Sequence, residues 1–567
     1  MKTKWQLIAE FIKSNKSLVI IAFTSGLCYN IILLLIPISL GRFYEFNFGF
    51  SSKRLKLLES MPFINTESFN NFLLFFIGLV LIRFVFEFVN RYVISIIGER
   101  FTKSLREQLF EHQLHIDTPI YDQKGIGKYL LRYSGDLKSI QNYITNGLFK
   151  FTQDLILIII LVVTISYINF YFGLIVAISI GISILMLFFI NNILYNISVS
   201  RRNQRSAMLT FVNTRLRAIQ SIKAFNKYTP EKNKYIKRSE NIYTIGKKYQ
   251  QTISAIQSII PAITYLMLAL LMWYVYYLKT NEGAIFNGSS LLILILLIIS
   301  FLPILRRTLR VSITWKLGNI SFEKLLNIFS LDAENSISFK KINLAEKKIC
   351  FKNVSFSYPN SNNQVFDKLD ITLYPKKLTL IIGESGTGKN TFIKLLLKIY
   401  KPTKGVINYG EYTSNELSEK TIRKNITVIS DEFSLYGRTV YEAISYNKSK
   451  ERKIKVREIL ENIQQFETNN NKLELQDSIG DLGSKLTSGQ KKLLMYCRAL
   501  LTNKPILIID RPFEGLNLKT ASHLQTILNT LKLEKTIIIL DNDIPKELKI
   551  DYTYTIINNT LIKGYTR

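Results

Sequence analysis

The residues of this chain best placed to do chemistry lie between Gly383 and Thr391, in the run Gly383, Glu384, Ser385, Gly386, Thr387, Gly388, Lys389, Asn390, Thr391. Three glycines there let successive backbone N–H groups turn inward around an anion, and a following helix N-terminus adds positive potential at the same point. Lys389 is placed to reach the outer phosphates of a nucleotide. The residue after such a lysine is expected to be Ser or Thr, whose hydroxyl ligates Mg²⁺; here it is Asn390. The loop needs a strand before it and a helix after it. The apolar run LTLII ending at Ile382 reads as a buried strand, and TFIKLLLKIY, residues 391–400, reads as a helix.

The elements that carry this loop occupy only part of a chain of 567 residues, enough for two or three domains. Hydrophobic residues make up 47% and are concentrated in long runs before about residue 310, while the remainder is mixed like a soluble domain. The net charge of +32, from 74 basic and 42 acidic residues, raises nucleic-acid binding as a class. No stacking module interleaves the basic residues, so nucleic acid is not expected as a partner. Cys28, Cys350 and Cys497 are odd in number and scattered, which excludes a disulfide framework or a zinc site; His112, His115 and His523 are too spread for a metal cluster.

Six stretches, near residues 17–41, 70–96, 149–169, 171–194, 252–278 and 287–310, are long and apolar enough to span a bilayer, which takes roughly 20 residues each. The first is too long for the apolar core of a cleaved signal. Before it, Trp5, Leu7, Ile8, Phe11 and Ile12 alternate with polar residues at helical spacing, which predicts a short helix lying on the bilayer surface. A tight turn near Asn169 joins spans three and four, and a short loop around Thr280–Asn287 joins five and six. The segments after spans two and four are long and polar, and residues 201–248 hold thirteen Lys and Arg. By the positive-inside rule these segments and both termini face the cytoplasm. Lys53, Arg54 and Lys56 in the first external loop, about 42–69, run against the rule. Arg83 and Glu87, four apart within span two, read either as a local ion pair or as part of a substrate pathway.

Each polar segment flows out of a span with unbroken helical patterning, which predicts cytoplasmic stalks. TPIYDQKGIGKYLLRYSGD (118–136), RLRAIQSIKAF (215–225) and SFEKLLNIFSL (321–331), in this order and spacing, resemble the transmembrane domain of ABC exporters. In that family the turn of each stalk rests on the nucleotide-binding domain and transmits motion; the turns are expected near Asp117–Gln123 and Met208–Thr214.

A polar linker, about 332–347, leads to ICFKNVSFSYPN, where the alternation Val354, Phe356, Tyr358 reads as a strand. Tyr358 falls where ABC domains place an aromatic that stacks on adenine. ITVISDEFSLYGRTVYEAIS (426–445) resembles the segment whose glutamine contacts the metal and the attacking water; that position is Asp431. DSIGDLGSKLTSGQ (477–490) resembles the exporter form of the signature loop, with Leu486, Thr487, Ser488, Gly489 and Gln490 as the signature itself. In the family this loop binds the γ-phosphate of a nucleotide held by the opposite subunit. Ser488 brings a side chain where the family has none. KPILIIDRPFEGLN (504–517) ends a strand in Asp510, the position that orients Mg²⁺. The next residue, in the place of the glutamate that polarises the attacking water, is Arg511, which cannot accept a proton. It could instead hold a phosphate or pair with Asp510. Asn517 stands in for a subunit-contact aspartate, and Asn542, in TIIILDND (536–543), for the histidine that touches the γ-phosphate.

The resemblance implies a multidomain chain. An all-α transmembrane domain of six spans (residues 1–335) is followed by an α/β nucleotide-binding domain (345–567) holding ATP and Mg²⁺. Asn390, Asp431 and Asp510 are the expected metal donors. No catalytic base is intact, so the expected ATPase is weak or inactive alone. The expected protein is an exporter subunit of a bacterial plasma membrane, the degenerate half of a heterodimer with a second ABC chain in preference to a homodimer. A peptide, lipid or small-molecule cargo fits the family, and leader-peptide processing by this chain is not expected. The alternative is a non-transporting pseudoenzyme that acts as a membrane scaffold or regulator.

Overall fold

The structure is a computed structural model, and it describes residues 3–48, 69–124, 129, 132–168, 170–281, 295–299, 303–304, 307–308, 311–334, 342–359, 361, 363–446, 450–468, 471–545 and 547–564. The chain divides into two compact units. One comprises Met1–Leu114 with Gly125–Leu331, the other His115–Lys124 with Asp332–Arg567.

The first unit is helical. Helix α1, Lys4–Ser14, starts at a capping box in which Thr3 and Gln6 satisfy each other's backbone N–H groups, and it buries Leu7 and Ile8. The long helices are α2, Lys16–Phe48, and α3, Phe69–His115. The short α4, Thr118–Lys124, belongs to the second unit. A wider-wound turn at Arg132–Asp136 leads into α5, Leu137–Asn142, and another at Tyr143–Lys150 leads into α6, Phe151–Ile168. The rest are α7, Phe170–Arg217, α8, Ile219–Ala224, α9, Tyr228–Asn281, and α10, Val311–Phe329. Among the described residues, Lys16–Leu40, Phe69–His115, Leu137–Tyr167 and Tyr228–Leu278 are long and apolar enough to cross a membrane, and Phe170–Met186 is a shorter apolar helix. Of the sixth expected span only pieces are described, with Leu297, Ile298 and Ile304 buried in the helical core. The external loop with Lys53, Arg54 and Lys56, the turn at Asn169 and most of the loop after Thr280 lie outside the described residues.

Buried polar groups tie these helices together. Gln153 donates to the Ala22 carbonyl at 2.9 Å, exchanges hydrogen bonds with Asn90 at 3.1 and 3.2 Å, and lends its own carbonyl to Asn30 at 2.9 Å. In an apolar surround each such group must find a partner, so the network fixes how α2, α3 and α6 register. Glu87 pairs with Arg91 at 2.5 Å and only distantly with Arg83, at 3.9 Å, so the local ion pair is made chiefly with a residue the sequence pattern had not singled out.

The stalk turn expected at Met208–Thr214 is not there. Those residues continue α7 without a break, because nothing in MLTFVNT interrupts a helix. The chain reverses later, from Ala218 through Asn226, whose φ of 50° ends α8 and turns the chain toward α9. The stretch Asp117–Gln123 does form the compact α4. Within the second unit, Asp122 accepts a hydrogen bond from Tyr400, and Asp117 lies 3.6 Å from the Lys401 ammonium.

The second unit is α/β. An antiparallel sheet of order β2-β1-β4-β5 contains β1, Ile349–Ser357, β2, Gln364–Leu373, β4, Lys404–Tyr409, and β5, Tyr412–Thr413. A larger sheet of order β10-β9-β3-β8-β7-β6 contains β3, Leu378–Ile382, β6, Ile426–Ile429, β7, Ile506–Asp510, β8, Thr536–Asp541, β9, Tyr552–Ile557, and β10, Thr560–Gly564. From β9 to β6 the strands run parallel. The near-continuous apolar runs ILII and TIIIL mark strands covered on both faces. The helices here are α11, Lys389–Leu396, α12, Glu419–Asn425, α13, Val440–Ser445, α14, Lys450–Ile463, α15, Ser488–Thr502, and α16, Leu518–Leu531.

Two local expectations shift. Strand β1 stops at Ser357, one residue before Tyr358, and a bulge at Asn353 breaks its strict alternation, so Val354, Ser355 and Phe356 are all buried. Helix α11 ends at Leu396 instead of running to Tyr400. Lys398 takes a left-handed φ of 52° there, and the Ile399 N–H reaches back to the Lys394 carbonyl at 2.8 Å.

Candidate functional site

Parallel pairing brings three strand ends side by side. Ile382 of β3 is opposite Asp541 of β8, and Asp510 of β7 is opposite Leu540 of β8. The turns that leave these strands therefore converge at one edge of the sheet, the edge where open α/β sheets bind ligands. There a cleft of about 470 Å³ is lined by Ser385, Gly386, Gly388, Lys389, Asn390, Thr391, Asp431, Glu432, Lys492, Asp510, Arg511 and Glu514.

The phosphate loop closes over the start of α11. Gly388 has a φ of 100°, and a Cβ there would stand 2.7 Å from Val365 Cγ1 and 2.9 Å from Phe366, so both backbone conformation and space require glycine. The Lys389 ammonium folds back into the loop. It donates to the Gly383 carbonyl, to the Glu384 carbonyl at 2.9 Å and to Asn542 Oδ1 at 2.8 Å. Burial, and then the nearby Arg511 charge, hold its pKa below the ordinary lysine value.

The neighbours of Lys389 look elsewhere. Asn390 donates its amide N–H to Glu432 at 3.1 Å, and Glu432 also pairs with Lys394 at 2.6 Å. Thr391 and the Tyr358 hydroxyl share a hydrogen bond of 2.9 Å. The Tyr358 ring packs edge-on against Phe356 and Tyr400.

On the facing side, Asp510 accepts the Ser430 hydroxyl at 3.0 Å, and burial raises its pKa above the ordinary carboxylate value. Burial likewise raises Asp541. Asp431 faces the Lys492 ammonium at 3.7 Å. Arg511 has a left-handed φ of 47°, donates its N–H to the Leu540 carbonyl at 2.8 Å, and sends its guanidinium to Glu514, 3.3 Å from each carboxylate oxygen. Its ion-pair partner is thus Glu514 and not Asp510: the turn after β7 is tight enough to bring the side chain three residues on within reach.

The signature segment forms the start of α15. Thr487 caps the helix and shares a capping box with Gln490, while Leu486 is partly buried. A Cβ on Gly489 would stand 2.4 Å from the Gly515 carbonyl oxygen, so this glycine permits the α15 N-terminus to approach the turn after β7. Asn517 caps α16 by accepting the Thr520 N–H at 2.8 Å, and it donates to Glu467 at 2.7 Å.

The cleft collects Asp431, Asp510 and Arg511 with Ser385, Gly386 and Gly388 to Thr391 of the phosphate loop; Gly383, Glu384, Thr387, Asn542, the signature residues and Tyr358 do not line it. Sequence reasoning passed over Ser430, Glu432, Lys492 and Glu514. Lys492 had left a signal. It falls on the helical stripe Gly489, Lys492, Leu493, Tyr496, and a lysine on an otherwise apolar stripe must find a partner inside.

An α-helical, membrane-spanning unit followed by an α/β unit with a glycine-rich phosphate loop defines the class as a membrane protein with a fused nucleotide-binding domain. The family model for the ABC transporter transmembrane region matches residues 19–304, and the ABC transporter model matches residues 366–514. The chain belongs to the ABC transporters, in the arrangement of an exporter half-transporter. It is similar to proteins named ATP-dependent lipid A-core flippase. The one from Nitrosococcus oceani is 25% identical over 476 residues, which cover 82% of this chain and 78% of the relative. Those from Yersinia pestis and Haemophilus influenzae are each 23% identical. The first covers 91% of this chain and 87% of the relative, the second 95% and 89%.

Proposed function

We propose that this chain is the degenerate half of a heterodimeric ABC exporter, binding ATP in the cleft around Lys389 and turning it over weakly or not at all. The observation that carries the reading is the turn after β7. The position that supplies a general base in the family is Arg511, and its guanidinium is paired with Glu514. Losing such a base typically costs about 10²–10⁴ in rate. The partner chain supplies the glutamate and histidine that are Arg511 and Asn542 here, and its own phosphate loop faces Thr487, Ser488 and Gly489. Tyr358 turns from Thr391 to stack on the adenine. Six spans, with both termini in the cytoplasm of a bacterial cell, complete the arrangement. The relatives' name favours an amphipathic lipid as cargo.

Magnesium is implied by the family; of its three expected donors Asp510 accepts the Ser430 hydroxyl, while Asn390 and Asp431 are engaged with charged partners. Asn390 presents an N–H to Glu432 instead of an oxygen, and Asp431 faces an ammonium. Among the described residues, no group of three His, Cys, Asp or Glu side chains is placed to hold a metal ion.

The test is ATP hydrolysis by the purified chain in lipid nanodiscs, beside a Lys389→Ala control, and again after co-purification with its partner chain. The expected result is no turnover above the control alone, and turnover coupled to lipid movement in vesicles when the partner is present. Robust hydrolysis by the chain alone overturns the degenerate reading. A pair that hydrolyses ATP and moves no lipid overturns the cargo.

A further inference from the structure

Of the four acidic side chains that line the cleft, three face basic ones. Asp431 faces Lys492 at 3.7 Å, Glu432 pairs with Lys394 at 2.6 Å, and Glu514 pairs with Arg511 at 3.3 Å. Asp510 accepts the Ser430 hydroxyl, and the Lys492 ammonium donates to its main-chain carbonyl at 3.0 Å. Lys492 is 1% exposed. A buried ammonium persists only where acceptors hold it, and this one is held at the floor of the cleft beside the strand end that carries Asp510. A small divalent ion at a nucleotide site is held through one or two carboxylates beside the phosphates and water, so the charge around those carboxylates decides whether it enters. Here Asp431, Glu432 and Glu514 already face cations, so a dication would compete with those pairs, and at Asp510 it would meet repulsion from the neighbouring Lys492 ammonium.

From this arrangement we infer that the cleft takes the nucleotide without a divalent metal, its phosphate charge being met by Lys389, Lys492 and Arg511. Lys492 is a compact point charge and Arg511 a planar fork, and both suit phosphate oxygens. The ligand is then the free nucleotide triphosphate anion. The inference rests on the reading of the cleft as an ATP site. It deepens that reading by making this half of the exporter indifferent to magnesium. It also gives a physical reason for Asn390 at the position of a metal-ligating hydroxyl: once protein cations hold the phosphates, nothing keeps that donor in place.

The experiment is equilibrium binding of ATP to the full chain in nanodiscs by titration calorimetry, once with Mg²⁺ and once with EDTA. Lys492→Met and Asp431→Asn follow under EDTA. The expected result is a Kd that differs by less than about threefold between the two conditions. Lys492→Met weakens binding under EDTA by about tenfold or more, the scale of a lost charge-assisted hydrogen bond. Asp431→Asn, at an exposed position, strengthens it by removing the carboxylate that competes for Lys492. Should Lys492→Met fail to fold, Asp431→Asn carries the test: unchanged or weaker binding under EDTA overturns the inference. ATP binding with Mg²⁺ and none with EDTA also overturns it, while leaving the nucleotide site standing. No binding in either condition, by a chain that still melts cooperatively, overturns the nucleotide site and the inference together.

Discussion

Replacing Gly489 with alanine tests whether the α15 N-terminus is seated as described. The added Cβ would lie 2.4 Å from the Gly515 carbonyl oxygen and 3.3 Å from its carbon. Both are main-chain atoms of the turn that carries Arg511, and neither can rotate away as a side chain would. Overpacking of this kind costs about 1–3 kcal/mol. To relieve it, the first turn of α15 must lift away from residues 511–517, which disturbs the Thr487–Gln490 capping box, a feature worth about 1 kcal/mol. The sum of about 2–4 kcal/mol corresponds, at about 2–4 °C per kcal/mol for a unit of this size, to a melting temperature lower by about 4–16 °C. Calorimetry of the full chain in nanodiscs reads the shift, and amide hydrogen exchange should rise within residues 488–492 and 511–517. Ser488→Gly removes a side chain without adding a contact and should cost only about 0.5 kcal/mol, through helix propensity. A Gly489→Ala melting point within about 1 °C of the parent would refute the seating of α15 against this turn.

Two further outcomes follow from buried charges in the same unit. The ammonium of Lys398 lies 3.0 Å from Glu419 and donates to the Leu417 carbonyl at 2.7 Å, with both charged side chains below 10% exposure. Lys398→Met leaves the carboxylate uncompensated and should cost about 3–5 kcal/mol in thermal or denaturant unfolding, and adding Glu419→Gln should recover more than half; equal destabilisation by the single and double variants would count against the pair. Burial raises the pKa of Asp510 and of Asp541 in the folded unit, so between the ordinary carboxylate value and the raised one the folded state binds more protons than the unfolded. Their contribution to stability is therefore complete below the ordinary value and is lost as pH rises through the raised one. Asp541→Asn should melt above the parent at neutral pH, with the gap closing on acidification; a gap that does not change with pH would show that burial does not control this group.

Much of the site was legible from residue types. A strand, three glycines and a lysine permit few backbone geometries, and the glycine at 388 is required twice over, by its φ and by Phe366 behind it. The long apolar runs announced the helical unit because a helix that meets lipid must be apolar along a bilayer's thickness. Partnerships were less legible. The Lys492 stripe contained a signal, yet its acceptors, the Asp510 carbonyl and Asp431, are 18 and 61 residues away in sequence. For Arg511 the sequence leaves open a phosphate or its neighbour Asp510, whereas the turn after β7 delivers it to Glu514. The second stalk turn was placed about ten residues early, because its helical pattern continues smoothly into Arg217 and only the left-handed Asn226 marks the reversal.

The sequence by itself determined the order of the parts: apolar helices first, then a phosphate loop, a signature segment and a strand ending in Asp510. Those features are local, set by composition, period and the conformational freedom of glycine. It also places a guanidinium, Arg511, directly after Asp510, since residue identity at one position needs no fold to read. Only the tertiary structure decided which charges meet. Parallel pairing of β3, β8 and β7 sets three distant turns side by side, so side chains far apart in sequence come within reach of one another. That proximity brings Asn390 to Glu432, Asp431 to Lys492 and Lys389 to Asn542.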